Sequence, residues 1–241
     1  MRILREHAEW MVVEKPAGLL IHPTRPDGTP TLWHQLVEAF PTEKLSLVNR
    51  LDRETSGLVV VARGSGAASV LGKMIQARRM EKEYLTLVVG KSPVEGMIDA
   101  PLDRLGKHQP SEIYLKRWVC PGGYPCVTHF RRVGIRRRET GECLSLLLVR
   151  TETGRLHQIR VHLAFVGLSV LGDKIYGPDE QCYLEFIRTG WTPQLERQLW
   201  FPRHALHACH TTFDWEGALV DVESPLPEDM AVFWESLIPL E

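Results

Sequence analysis

The run Leu58-Val59-Val60-Val61-Ala62 constrains the fold of this chain more than any other stretch. An uninterrupted apolar run built on valines suits a strand covered on both faces, because it leaves no polar face for water. Directly before it stands Asn49-Arg50-Leu51-Asp52-Arg53-Glu54-Thr55-Ser56-Gly57, dense in polar and charged groups and closed by a glycine. A loop rich in chemical groups therefore feeds a buried strand. Asp52 lies between Arg50 and Arg53, and nearby positive charge favours an ionised carboxylate. It is a candidate nucleophile or general base; the structural alternative is that it ties the loop to its arginines.

A length of 241 residues allows one substantial core, as a single mixed domain or as two small lobes. Apolar content of 44% and charged content of 24% are those of an ordinary globular chain. No apolar run approaches the roughly 20 residues of a membrane span, and Met1-Arg2-Ile3-Leu4-Arg5-Glu6-His7 lacks the apolar centre of a signal peptide. The five cysteines, Cys120, Cys126, Cys143, Cys182 and Cys209, are odd in number and scattered, which argues against a disulfide framework. A cytoplasmic setting is expected, with no membrane association. The net charge is −1, so nucleic-acid binding would have to use local basic patches.

Along the chain, Trp10 to Pro23 reads as a strand, a Pro-Gly turn and a short apolar run. Helical spacing joins Leu32, Leu36, Val37 and Phe40, and Pro41 stops it. Ala67 to Met80 predicts a second helix, with Val70, Leu71, Met74 and Ile75 on one face. Lys82 to Gly90 predicts a strand. Between Asp99 and Tyr124, glycine, proline and charge suggest loops and irregular strands. Val127 to Val133 and Cys143 to Val149 flank Arg136-Arg137-Arg138-Glu139-Thr140-Gly141-Glu142, which reads as a hairpin with a charged tip. With Arg131 and Arg132 this is the densest basic cluster, suited to bidentate phosphate contact, although Glu139 and Glu142 neutralise part of it. Pro178 to Gly190 predicts a helix, and Leu226 to Leu237 a closing one.

Two histidine sets invite a metal. His157 and His162 are five apart, which suits neither one helical face nor one strand face. In a strand, His204 and His210 share a face while His207 lies on the other. Structural roles are the expectation for both sets, and no metal site is expected.

Three motifs together carry a resemblance. The string Arg-Leu-Asp-x-x-Thr-Ser-Gly before a valine-rich strand resembles the active-site signature of the RluA-type pseudouridine synthases, with Asn49 where that family usually has histidine. Lys82-Glu83-Tyr84 resembles its second motif. Thr153-Gly154-Arg155-Leu156-His157-Gln158-Ile159-Arg160-Val161-His162-Leu163, followed by Gly172-Asp173-Lys174-Ile175-Tyr176-Gly177, resembles its third, with Ser169 where proline is common. Arg203 to Ala208 resembles its Leu-His-Ala strand.

The resemblance implies an α+β fold with a mixed, mostly antiparallel central sheet, flanking helices and a central catalytic cleft. It implies one catalytic domain over 1–241, beginning so near the N-terminus that a separate RNA-binding domain in front is not expected. The implied reaction is the cofactor-free isomerisation of uridine in structured ribosomal or transfer RNA. Asp52 would be the catalytic carboxylate and Arg160 its ion-pair partner. Tyr84 would lie against the base and take part in proton transfer. Arg50 would fill the space left by an extruded nucleotide, and Leu206 would make an apolar contact near the target. Arg136 and Arg137 would meet phosphate. RNA is the expected partner, and a monomer the expected state. The rivals are a catalytically silent RNA-binding module, which would need Asp52 or Arg160 to be missing, and a nucleoside or sugar hydrolase, for which Asp173 would be the second carboxylate.

Overall fold

The apolar run is realised as a strand whose residues from Ser56 to Ala62 are all buried. The structure, a computed structural model, describes residues 1–23 and 28–240. In chain order, β1 (Arg2–Glu6), β2 (Trp10–Lys15), α1 (Leu32–Ala39), β3 (Leu45–Leu47), β4 (Ser56–Arg63) and α2 (Gly64–Gln76) come first. Then follow β5 (Met80–Val89), β6 (Glu95–Asp99), β7 (Leu102–Arg104), a 3₁₀ turn at Leu105–Lys107, β8 (Arg117–Val119), β9 (Val127–Arg137) and β10 (Cys143–Thr151). The remainder comprises α3 (Gln158–Phe165), α4 (Gln181–Thr189), α5 (Pro193–Leu199), β11 (Leu206–Trp215), β12 (Ala218–Glu223), α6 (Glu228–Glu235) and β13 (Ile238–Pro239). The expected mixed α+β architecture with mostly antiparallel pairing is what is found.

The chain forms two compact units: Met1–Glu83 with His207–Leu226, and Tyr84–Leu206 with Pro227–Glu241. In the first, the strand order is β1-β2-β4-β11, with β3 also on β4 and β12 on β11. β4 pairs antiparallel with β2 and parallel with β11, so neither edge is open where the Asp52 loop enters it. One face carries a core of Val12, Leu58, Val60, Leu71, Met74 and Phe213, in which Trp10 meets Phe213 edge-on at 5.3 Å. Fully burying a side chain such as Leu71 stabilises by about 1.5–3 kcal/mol.

In the second unit the order is β5-β10-β9-β13, with β6 also on β9. Val88, Phe130, Leu147, Val149, Ile159 and Leu163 form its main cluster, uniting strands β5, β9 and β10 with α3.

Several boundaries differ from the sequence expectation. α2 begins at Gly64 and ends at Gln76, because Met80 already belongs to β5. β9 runs to Arg137, so Arg136 and Arg137 are strand residues and not part of the hairpin tip. Pairing of Leu144 with Arg136 and Cys143 with Arg137 extends the ladder past the apolar stretch. β1 and α5 were not anticipated; α5 is set by Thr192, whose hydroxyl accepts from the Leu195 N–H, and by Pro193 at its first position.

Candidate active site

Asp52 lies half-buried in the loop that leads into β4. The Thr55 N–H donates to the Asp52 carbonyl at 3.2 Å, closing a turn around it. Lys15, with 0% exposure, donates to the carbonyls of Pro16 and Leu19 at 2.9 Å and of Arg53 at 3.1 Å. A buried ammonium thus holds the residue directly after Asp52. Arg53 sends its Nε to the Gly18 carbonyl at 3.0 Å, while the Gly18 N–H returns to the Arg53 carbonyl at 2.8 Å. Asn49, where the resembling family usually has histidine, clamps the strand: its Oδ1 accepts from the Val60 N–H at 2.8 Å and its Nδ2 donates to the Leu58 carbonyl at 3.2 Å. Arg50 is exposed.

The far end of the loop is braced from inside. Ser56 Oγ lies 2.9 Å from His207 Nδ1, and His207 Nε2 lies 3.1 Å from Ser224 Oγ, which in turn donates to the Glu14 carboxylate. Because the Ser224 hydroxyl gives its proton to Glu14, its oxygen accepts from His207, which places a proton on Nε2. Gly57 follows Ser56 at φ +110°, its α-carbon flush against the backbone of Ala208 on β11.

In the second unit the third motif builds a buried polar platform. Arg160 in α3 grips Asp173 as a fork, Nε to Oδ2 at 2.6 Å and Nη2 to Oδ1 at 2.8 Å, with side-chain exposures of 5% and 0%. Asp173 Oδ1 also accepts from the N–H groups of Ile175 and Tyr176, at 2.9 and 3.0 Å. Burial alone would push the Asp173 carboxyl up, but the Arg160 charge and its hydrogen bonds outweigh this and hold it well below the usual carboxylate range. The Tyr176 hydroxyl accepts from the Arg117 N–H and bonds His157 Nδ1, both at 2.8 Å. His162 is placed separately, between Thr128 Oγ1 and the Ala100 carbonyl at 2.9 Å each. The two histidines of this motif therefore hold different partners.

The Gly-Asp-x-x-Tyr-Gly motif is thus the seat of Arg160, and Asp173 is a buried anchoring carboxylate. That is a poor setting for the second carboxylate of a hydrolase, which must reach sugar and water. Asp173→Ala is expected to cost about 3–5 kcal/mol, because it strands a buried guanidinium. A denaturant titration would show this, and a loss under about 1 kcal/mol, the range of a surface pair, would contradict it.

Tyr84, half-buried on β5, packs against the cluster of the second unit, which also contains Leu206, 4% exposed, and Ile159, the neighbour of Arg160. Arg136 and Arg137 part company. The Arg136 guanidinium stacks over Trp234 at 5.1 Å and its Nη1 donates to the Trp234 carbonyl at 2.9 Å, whereas Arg137 is exposed. Lys15 and the Ser56–His207–Ser224–Glu14 relay escaped the sequence reading. A lysine closing the apolar strand from Trp10 was the available signal for the first.

Among the described residues, His210, Asp221 and Glu223 bring possible ligand atoms within 4.8 Å of one another. Both His210 nitrogens already face carboxylates, Asp221 at 2.8 Å and Glu83 at 3.1 Å, an arrangement that suits an imidazolium. Burial disfavours its charge, but the bonds to Asp221 and Glu83 prevail and raise its pKa. Its contribution to stability is then complete below about pH 6.5, the unfolded value, and is lost as pH rises through the higher folded value. His210→Gln is expected to destabilise more at about pH 5.5 than at about pH 8.5. Equal losses in paired denaturation curves would refute the charged reading.

A family described as RNA pseudouridylate synthase matches residues 9–165. A protein of Nitrosomonas europaea named ribosomal large subunit pseudouridine synthase D is 34% identical over 246 residues, covering 98% of this chain and 65% of that protein. An RNA pseudouridine synthase of Chloroflexus aurantiacus, itself uncharacterized, is 36% identical over 231 residues, covering 92% of this chain and 65% of its own length. The chain thus spans about two thirds of the length of these relatives. The solved human RNA pseudouridylate synthase domain containing 1 has a TM-score of 0.74 at 24% identity, covering 99% of this chain and 88% of that one, a likeness of fold. Among the described residues, no helix is long and apolar enough to cross a membrane.

Proposed function

Since this chain belongs to the RNA pseudouridylate synthase family, we propose that it isomerises uridine within RNA to pseudouridine, with Asp52 as the catalytic carboxylate. The supporting observation is the loop itself: its ends are pinned by Lys15, Asn49 and the Ser56–His207 pair, while Asp52 between them is half-buried. Pre-set geometry of this kind is what a reacting carboxylate needs.

In the reaction the bond from ribose C1′ to uracil N1 breaks and one from C1′ to C5 forms. N1 gains a proton and C5 loses one, so the change balances without oxidant, reductant or cofactor. Asp52 acts on the ribose, and Tyr84 lies against the uracil and takes part in proton transfer. Arg160, aimed by Asp173, serves as counter-ion to Asp52, which without a partner would tend to protonate as water is excluded. The uridine must leave its stack to react, at a cost of a few kcal/mol; Arg50 takes the vacated space, Leu206 backs the target, and Arg137 meets phosphate. Arg136 holds that strand against Trp234.

Ribosomal large-subunit RNA is the proposed substrate, by the names of several relatives, and the protein is proposed to act as a monomer. Mapping pseudouridine in total RNA from cells with and without the gene tests this. Loss of modification at one or a few large-subunit positions is expected; loss confined to transfer RNA would overturn the substrate, and identical maps the activity.

A further inference from the structure

The second unit carries a cavity of about 460 Å³ within the weakly patterned stretch, lined in part by Arg104, Lys107, Arg117 and Arg155 and by two tyrosines, Tyr114 and Tyr124. Asp103 is the one carboxylate in the lining, so four cations against one anion leave a formal charge of +3. Lys107 meets Asp103 at 2.9 Å and the Arg104 N–H donates to it at 2.7 Å, so its charge is already answered. Two donors are not. Among the described residues, Arg104 Nε and Arg117 Nη1 are buried without a hydrogen-bond acceptor. A buried donor left unpaired costs about 1–3 kcal/mol, and an anionic oxygen would relieve it.

The tyrosines add a second kind of contact. Arg104 lies over Tyr114 at 4.5 Å, and Lys107 and Arg155 lie over Tyr124 at 5.4 and 5.3 Å. Yet Tyr114 and Tyr124 remain 73% and 55% exposed, which leaves aromatic surface for a planar base beside the cations. Cations that track phosphate, interleaved with aromatic faces, are the physical makeup of a single-stranded nucleic-acid site.

We propose that this cavity binds a phosphate and an adjoining base of the RNA substrate at a nucleotide other than the reacting uridine. The proposal rests on the assignment of RNA as substrate. It gives a role to a stretch whose sequence pattern suggests only irregular loops.

The test titrates the full chain with a labelled oligouridylate at several salt concentrations, with uridine monophosphate and polyglutamate as competing probes. Arg104→Gln combined with Arg117→Gln is expected to weaken oligouridylate binding about tenfold and to flatten the salt slope by roughly 0.7 for each phosphate no longer neutralised. Tyr114→Ala is expected to weaken binding about tenfold with the slope unchanged, because it removes a stack and no charge. In pseudouridine assays both variants should raise KM and keep kcat. Wild-type affinity and slope in both would overturn the proposal. So would monophosphate binding as tight as the oligomer, which would mark a free-nucleotide site, or polyglutamate binding as well with Tyr114→Ala silent, which would mark an acidic protein's site. If the paired arginine variant misfolds, Arg155→Gln and Tyr114→Ala, both at exposed positions, carry the same decision. A wild-type chain that binds oligouridylate through this pocket yet forms no pseudouridine would defeat the proposed activity and leave the pocket standing.

Discussion

Asp52→Asn is expected to abolish pseudouridine formation, by on the order of a thousandfold or more, in single-turnover assays with enzyme in excess. The substitution keeps the size and shape of the side chain and removes the charge proposed to act on the ribose. RNA affinity should stay within about tenfold of wild type, since one negative charge is removed from a neighbourhood that contains Lys15, Arg50 and Arg53. That split separates chemistry from binding. Turnover at the normal rate would remove Asp52 from the mechanism, and loss of binding in proportion to activity would recast it as a recognition or structural residue.

Gly57→Ala is expected to destabilise the protein by roughly 3–5 kcal/mol, the sum of a strained backbone and an overpacked contact. The residue has φ +110°, and an added Cβ would lie 2.1 Å from the Ala208 carbonyl oxygen and 2.7 Å from its nitrogen. Backbone cannot swing aside as a long side chain does, so β4 and β11 would have to part where Ser56 meets His207. Gly66→Ala is the control: this glycine lies within α2 with nothing inside 4 Å, and alanine there should be neutral or stabilise by up to about 1 kcal/mol. Denaturant midpoints of the two variants side by side decide the matter. Similar behaviour would mean that the close approach at Gly57 is not needed.

The local rules of the sequence carried well wherever a pattern is set by burial. Leu58 to Ala62 needed cover on both faces, and every one of these residues is buried, with α2 and its core over one side of the first unit's sheet. The helical spacing of Leu32 and Leu36 is realised in α1, where both are buried. His157 and His162 each have their own hydrogen-bond partner, Tyr176 and Thr128.

What was not legible depends on where side chains travel after the backbone is set. Arg136 reads as an outward phosphate ligand, but Trp234 comes from 98 residues away to receive it. Lys15 reads as the polar end of a strand beside a turn, while three carbonyls converge on it and make it part of the interior. Asp173 reads as a possible second acid, and only the folded chain gives it to Arg160. The cavity around Arg104 and Arg117 follows from a short β7–β8 pair whose strands are too brief to leave a periodic signal.

The most direct measurement uses RNA carrying tritium at C5 of its uridines. Forming the carbon–carbon bond expels the hydrogen from C5, so the purified chain is expected to release tritium into water with pseudouridine in matching amount and no free uracil, and Asp52→Asn is expected to do none of this. No release from ribosomal or transfer RNA, or free uracil in place of pseudouridine, would contradict the proposed activity.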